Sequence, residues 1–208
     1  PLDGHAAAWA NYLLGNAWGT PLLEIALGDV ELCSEVDTWL ALTGAELPAS
    51  IDGRALPKWS RFPLRAGQCL RLGFARSGQR AYLAAVGGFR AAAVLGSIST
   101  QVREGLGGLD QQGGKLLADD LLACTAADLP GAASVPWLYQ PNYRRTPLLR
   151  VITGGDAVEF AEDQLQAFFE QSWQLSTQSD RMGARLQGVA LQAPSRQWSL
   201  GVSRGAIQ

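Results

Sequence analysis

The hydrophobic and polar positions of the chain first follow a helical pattern and then change to the spacing of strands. Residues 6–14 read A-A-A-W-A-N-Y-L-L and are followed by Gly15 and Asn16, the two residue types that best tolerate the left-handed end of a helix. Short apolar runs separated by Gly, Asp and Pro then fill residues 21–86, and Asp52-Gly53 is a strong hairpin signal. We predict one short helix followed by an all-β segment.

The pattern is less regular after residue 86. Residues 87–114 are rich in glycine and are expected to form ordered loops, residues 115–124 a strand pair, and residues 125–147, with four prolines, a connector. A strand is predicted at residues 148–153. A capping box of Asp156 and Glu159 should then begin a helix that runs to about residue 171. Further strands are expected at residues 173–176, 185–192 and 197–202.

These elements predict a mainly β protein, a barrel or a sandwich, with a few short helices. The first β half with its Gly-rich loops is assigned to residues 1–128, the Pro-rich connector to residues 129–147, and a second β half with one helix to residues 148–208.

Composition and charge exclude several classes of partner. The 208 residues are 47% hydrophobic and carry a net charge of −2, with no block of Lys and Arg, which argues against nucleic acid or an anionic membrane surface. No apolar run approaches the roughly 20 residues that span a bilayer. No segment resembles a secretory signal, so a cytoplasmic location is expected, and the three cysteines are expected to be reduced and mostly buried.

The chemistry available to the chain is restricted as well. His5 is the single histidine, which disfavours a Ser-His-Asp triad and, with three dispersed cysteines, a zinc site. Residues 108–116 approach a P-loop but are off by one residue and lack the hydroxyl that would hold Mg²⁺. If the protein uses ATP, a partner is expected to bring it.

Two polar clusters are candidate sites. The first has hydroxyls at Ser97, Ser99 and Thr100, then Arg103, and the small backbone positions Gly107 and Gly108. Glycines let backbone amides approach an anion, and Arg clamps a planar carboxylate in two hydrogen bonds. The residues alone are compatible with two interpretations, an anion or carboxylate site and a hydrogen-bonded Gly-rich loop.

The second cluster is S-D-R-M-G-A-R-L, in which Asp180 is able to orient Arg181 or Arg185. Its alternative reading is a structural ion pair in a turn. A third segment, residues 203–208, ends at Gln208 and carries only a weak signal of its own.

Taken together, the motifs resemble one family. The chain carries P-L-D-x-x-A, A-N-x-L-L-G-N, V-L-G-S-x-S-T, G-x-G-G, S-D-R-M-G-x-R-L-x-G and G-A-I-Q, in that order. It is similar along its whole length to the allophanate hydrolase subunit 2 family, also called the biotin-dependent carboxyltransferase, subdomains C and D, which includes the C subunit of bacterial 5-oxoprolinase. The resemblance implies two cyclophilin-like β-barrel halves, with the second truncated at its C-terminal end.

The resemblance also implies a function in an assembly. It predicts a subunit, inactive alone, of an ATP-dependent hydrolase of 5-oxo-L-proline, working with an allophanate hydrolase subunit 1-type protein and a LamB/YcsF-type subunit. The alternatives are a carboxyltransferase that uses biotin and acts on urea, and a regulatory antagonist of a kinase-inhibitor protein. A small carboxylate or amide is the expected substrate. Catalytic roles are expected for Arg181, Asp180 and Ser97, and substrate binding for Ser99, Thr100, Arg103, Gly107, Gly108, Arg185 and Gln208.

Overall fold

The computed structural model describes residues 1–193, 195 and 201–207. The chain divides into two compact units, Pro1–Thr146 and Pro147–Gln208, called the first and the second unit below. The short strand Ala133–Ser134, which lies in the predicted connector, pairs within a sheet of the first unit. None of the helices in the described part of the chain is long and apolar enough to cross a membrane.

Helix α1, Gly4–Leu13, confirms the predicted first helix. Its N-cap is Asp3, whose carboxylate accepts a hydrogen bond from the Ala6 N–H at 2.9 Å. The chain leaves the helix through Gly15, which has a φ of +71°. Ala6 and Ala10 are fully buried, because their small side chains let the helix backbone approach the sheet closely.

Two antiparallel sheets form the body of the first unit and confirm the mainly β prediction. The strands are β1 Leu23–Ala26, β2 Val30–Cys33, β3 Thr38–Glu46, β4 Ala49–Ile51, β5 Arg54–Ala55, β6 Ser60–Leu64, β7 Cys69–Leu72, β8 Ser77–Ala85 and β9 Ala133–Ser134. The five-stranded sheet has the order β1-β8-β3-β6-β9, and the four-stranded sheet has the order β2-β7-β4-β5. The predicted Asp52-Gly53 turn joins β4 to β5, with both residues at positive φ.

The five-stranded sheet is buried on both faces. On β3, Leu40 and Leu42 share a core with Leu70 and Leu72 of the four-stranded sheet. Trp39 and Ala41, which alternate with these leucines along the strand, pack with helix α1 on the other face. The two-residue alternation of side chains thus explains how the longest strands separate two cores.

The strand pair predicted at residues 115–124 and the strand predicted at residues 148–153 are wrong. Residues 118–119 form a turn, in which the Asp120 carboxylate accepts a hydrogen bond from the Leu117 N–H at 2.7 Å, and within residues 115–124 only Ala123 makes a bridge, to Arg90. Residues 148–153 are not in a strand, and Ile152 is 95% exposed. An apolar run becomes a strand only where another strand accepts its hydrogen bonds.

The second helix begins later than predicted. A 3₁₀ helix occupies Gly155–Glu159, and helix α2 covers Glu162–Glu170. Neither N-cap, Gly154 or Ala161, makes a side-chain cap hydrogen bond, so the predicted capping box does not start an α-helix. A second 3₁₀ helix lies at Trp137–Tyr139 in the first unit.

The strands predicted near the end of the chain are shorter than expected. Strands β10, Gln174–Leu175, and β11, Leu186–Gln187, form one antiparallel pair in the second unit. Of the strand predicted at residues 197–202, residues 197–200 lie outside the described residues, and residues 201–202 are not in a strand.

The expectation of three reduced cysteines is wrong. Cys33 and Cys69 form a disulfide, and Cys124 is a half-buried free thiol. The two bonded residues lie directly opposite each other on β2 and β7. This contact could not be predicted from the sequence, because the two cysteines are 36 residues apart and β2 and β7 are not consecutive strands.

A tyrosine network ties the start of helix α1 to the sheet. The Tyr82 hydroxyl donates to the Glu24 carboxylate at 3.1 Å and accepts from the Asp3 N–H at 2.7 Å, while the Tyr143 hydroxyl donates to the Asp3 carboxylate at 2.5 Å. Burial, with the Glu24 charge adding to it, raises the pKa of Tyr82 to about 12. Burial and the hydrogen bond to Asp3 also raise the pKa of Tyr143. Both phenols are therefore held neutral in the folded protein.

The first unit should consequently lose stability in alkali. The unfolded chain releases the Tyr82 proton near pH 10, whereas the folded chain keeps it until about pH 12, so this contribution is complete below pH 10 and is lost as the pH rises through about 12. Tyr82→Phe should make the decline of the unfolding free energy shallower, as measured by urea unfolding over this range. Tyr12→Phe is the matched control, because Tyr12 is 73% exposed. An unchanged slope in Tyr82→Phe would contradict the assignment.

Candidate functional site

The Gly-rich segment of the first unit is an ordered loop built from single bridges, as predicted. Backbone bridges join Val94 to Ser97, Gln101 to Leu106 and Gly107 to Gln112. The first of them encloses a tight two-residue turn at Leu95-Gly96, with φ values of +50° and +77°. The loop therefore holds its shape through its own main-chain hydrogen bonds.

Gly107 and Gly108 are buried inside this loop and serve close backbone packing. A Cβ on Gly107 would lie 2.2 Å from the Ser99 carbonyl oxygen, and one on Gly108 would lie 3.0 Å from the Thr100 hydroxyl oxygen. Both residues have positive φ. The glycines thus bring Ser99 and Thr100 against the turn that follows Leu106.

The three hydroxyl residues of the first cluster are brought together on an exposed edge of the loop. Ser97, Ser99 and Thr100 are all exposed, and the Ser97 Oγ accepts a hydrogen bond from the Ser99 N–H at 3.1 Å. Arg103 lies at the nearby loop tip, its side chain is 70% exposed, and its Nε is 3.7 Å from the Glu104 carboxylate. The loop therefore offers hydroxyl and guanidinium donors to solvent.

A carboxylate of the loop itself, which was not predicted from the sequence, accepts hydrogen bonds from backbone amides of the glycine-rich turn. Asp110 Oδ1 accepts from the Gln112 N–H at 2.9 Å and from the Gly114 N–H at 3.1 Å. Both amides lie within the P-loop-like stretch, residues 108–116. An aspartate two residues before a turn amide is a recognisable signal of this arrangement.

The second cluster forms a turn in the second unit. Asp180 Oδ1 accepts from the Met182 N–H at 2.8 Å and from the Gly183 N–H at 3.1 Å. The Ser179 Oγ accepts from the Arg185 N–H at 2.9 Å, and the Arg185 guanidinium donates to the Gln178 side chain at 3.3 Å. The Asp180 carboxylate thus braces the turn, and the exposed Arg181 lies within it.

The predicted site residues therefore fall into two groups. Ser97, Ser99, Thr100, Arg103, Gly107 and Gly108 belong to one loop of the first unit, and Asp180, Arg181 and Arg185 belong to one turn of the second unit. Gln208 lies outside the described residues. Each cluster is locally compact, as the motif spacing suggested.

An aromatic groove beside helix α1 was not predicted. His5, Trp9, Tyr12 and Trp18 line it, and the His5 Nε2 lies 2.7 Å from the Tyr139 carbonyl oxygen. Trp9 contacts the rings of both Tyr12 and Tyr139, with centroids 5.2 and 5.4 Å apart. The spacing of His5, Trp9 and Tyr12 at helical intervals is the signal that could have identified it.

Known proteins resemble this chain in sequence. It is 41% identical over 193 residues to the C subunit of 5-oxoprolinase from Escherichia coli, covering 91% of this chain and 60% of that protein. It is 34% identical to a putative urea carboxylase of Emericella nidulans, covering 90% of this chain but 15% of that protein. The chain therefore spans only part of the length of either relative.

The fold has a counterpart among solved structures. A crystal structure of TTHA0988 superposes with a TM-score of 0.72 at 28% sequence identity, covering 93% of this chain and 68% of that one. The mainly β architecture described above is therefore shared with an experimentally determined protein.

The family expected from the motifs is confirmed, with one correction. The resemblance suggested subdomains C and D of the biotin-dependent carboxyltransferase, whereas the match over residues 1–208 is to the carboxyltransferase domain, subdomain A and B. The distinctive loop of the first unit and the S-D-R-M-G turn of the second both lie within this match. The chain belongs to the carboxyltransferase domain family, subdomain A and B.

Proposed function

We propose that the protein carrying this chain is a subunit of an ATP-dependent hydrolase that converts 5-oxo-L-proline to L-glutamate in the cytoplasm. The observation that carries the proposal is the 41% identity to the C subunit of E. coli 5-oxoprolinase across 91% of the chain. The identity to the urea carboxylase is lower, and this chain corresponds to a much smaller share of that protein.

In this proposal, ATP is bound by the partners. In the P-loop-like stretch of this chain, the Asp110 carboxylate already accepts hydrogen bonds from the Gln112 and Gly114 amides. A phosphate there would meet a negative charge and compete for donors that are already in use. We propose an allophanate hydrolase subunit 1-type protein and a LamB/YcsF-type subunit as the partners that complete the enzyme.

The exposed donors of the first unit are proposed to bind the substrate carboxylate. The hydroxyls of Ser97, Ser99 and Thr100 and the guanidinium of Arg103 are exposed on a loop whose backbone is held by its own bridges. A planar carboxylate is bound best by a guanidinium fork supported by fixed hydroxyl donors. The packing of Gly107 and Gly108 supports this role, because it fixes the segment that carries the hydroxyls.

Independently of the loop in the first unit, the turn of the second unit is proposed as a separate candidate site for the amide being cleaved. Asp180 is anchored on two backbone amides and thereby fixes the segment that contains Arg181. A guanidinium there is able to stabilise the negative charge that develops on the amide oxygen when the ring opens. Arg185, tied to Gln178, is proposed to assist in binding the substrate.

Reconstitution tests the proposed function. The complete protein should be inactive alone and should release L-glutamate from 5-oxo-L-proline only with both partner subunits and ATP, because neither an ATP site nor a full catalytic set is expected in this chain. The assay measures glutamate and ADP, with each subunit and ATP omitted in turn as controls. Full activity of the isolated protein would refute the requirement for partners, and glutamate formation without ATP would refute the energy source.

The similarity to the urea carboxylase supports a second candidate, carboxyl transfer from carboxybiotin to urea. The same preparation, given urea and a carboxylated biotin carrier, distinguishes the two functions. Consumption of carboxybiotin that depends on urea, without glutamate release from 5-oxoproline, would replace the first proposal by the second.

A further inference from the structure

The disulfide lies on the outer face of the four-stranded sheet of the first unit. Cys33 of β2 is directly opposite Cys69 of β7. Their neighbours in sequence, Leu32 and Leu70, pack in the core, and side chains alternate along a strand. The two sulfur atoms are consequently on the side of the sheet that faces away from the core.

This position leaves the disulfide accessible to small molecules. Cys33 is exposed and Cys69 is half-buried. Strand β2 is an edge strand whose one neighbour in the sheet is β7, and Cys33 with Cys69 forms the last residue pair of their ladder. A thiolate that attacks a disulfide needs access to one sulfur atom, and the edge of the sheet provides it.

The charges around the disulfide determine how fast it exchanges. The Glu31 carboxylate and the two sulfur atoms lie within 4.8 Å of one another, and Arg71 lies opposite Glu31 on β7. A nearby carboxylate disfavours the thiolate that must leave and repels an anionic attacking thiol. Glu31 is therefore expected to slow the exchange of a bond that is sterically open, and the Arg71 charge to oppose this effect.

We propose that Cys33 and Cys69 form a reversible thiol-disulfide site that reacts with small thiols of the glutathione class. In the first step a small-molecule thiolate attacks one sulfur, the Cys–Cys bond breaks, and a mixed disulfide and one cysteine thiolate form. That cysteine takes a proton from solvent. A second small thiolate then attacks the mixed disulfide, releases the other cysteine, and leaves with the first as a small-molecule disulfide. The protein gains two electrons and two protons, and glutathione disulfide reverses the sequence.

Counting accessible thiols in the folded protein tests the proposal directly. The chain has three cysteines, so after equilibration with glutathione disulfide Cys124 should be the one cysteine of this chain that carries a maleimide or a glutathione, and after equilibration with reduced glutathione three free thiols should be labelled. Quenching with a maleimide and peptide mass spectrometry assigns each label to its cysteine. The Cys124→Ser variant should show none and two, which separates this pair from any exchange at Cys124.

Two outcomes would overturn the proposal. A maleimide or a glutathione on Cys33 or Cys69 after treatment with glutathione disulfide would mean that the bond between them does not form under mild oxidation. One label after prolonged treatment with about 10 mM reduced glutathione, a concentration ample for exchange at an open disulfide, would mean that the bond is inaccessible. Both measurements use the wild-type protein, so neither depends on the folding of a variant.

The role of Glu31 has a test of its own. Glu31→Gln should increase the rate of reduction by glutathione about threefold or more at neutral pH, because it removes the adjacent negative charge. Glu162→Gln, at an exposed residue that is not part of the Glu31, Cys33 and Cys69 cluster, is the charge-matched control and should leave the rate unchanged. Equal rates in the two variants would show that Glu31 does not control the site.

Discussion

Replacing Gly44 by alanine should destabilise the first unit by about 3–5 kcal/mol, which is large for a single methyl group. Gly44 lies in β3 at the point where its register with β8 shifts, and it has a φ of +87°. An added Cβ would lie 2.5 Å from the Arg80 carbonyl oxygen and 3.2 Å from the Tyr82 ring. The first contact is with backbone, which cannot rotate away, so the central strand pair must move.

The cost at Gly44 has two parts, and a second glycine separates them. Gly53 has a similar φ of +79°, but its added Cβ would meet nothing within 4 Å. Gly53→Ala should therefore cost about 1–2 kcal/mol, the strain of the left-handed backbone alone. Thermal and urea unfolding of both variants gives the difference. Equal destabilisation would contradict the claim that the contact with β8 dominates.

The elements predicted correctly are those whose cause is local in the sequence. Helix α1 follows from its alanines and its Gly15 end, and the β4-β5 hairpin follows from Asp52-Gly53. Residues 115–124 and 148–153 are apolar too, but whether such a run becomes a strand depends on a partner elsewhere in the chain. In the first of these segments, the hydrogen bond from the Leu117 N–H to the Asp120 carboxylate favours a turn over a strand.

The candidate clusters could be located from residue types, and of the contacts in the structure only the local ones could be predicted. Hydroxyls, glycines and arginines within a few residues indicate polar loops wherever they fold. The Asp110 carboxylate that occupies the glycine-rich turn follows a local rule and was within reach of the sequence. The hydrogen bond from Tyr143 to Asp3 joins residues 140 positions apart, and the disulfide joins non-consecutive strands, so no local pattern indicates either contact.

Replacing Arg103 by lysine should lower the turnover of the reconstituted enzyme about 10²-fold or more while the fold stays intact. Lysine keeps the charge but loses the planar fork that binds both oxygens of a carboxylate. The Arg103 side chain is 70% exposed and 3.7 Å from Glu104, and such surface pairs contribute little to stability. A loss of activity at an unchanged melting temperature would therefore report on substrate binding or catalysis, and Arg145→Lys is the exposed control in the same unit.

Arg181→Lys should also lower turnover about 10²-fold or more. The structure allows this loss of activity to be distinguished from a loss of the turn itself. Asp180 braces its turn through the Met182 and Gly183 amides, and the lysine variant leaves both of these hydrogen bonds in place. The turn should consequently survive, and turnover should fall because the guanidinium no longer meets the charge that develops on the cleaved amide. If Arg181 has only a structural role, the variant will instead lose thermal stability while turnover per folded molecule stays near that of the wild type. Lower thermal stability with unchanged turnover would refute the proposed role of the second cluster. The prediction for Arg103 would then depend on its own measurement alone.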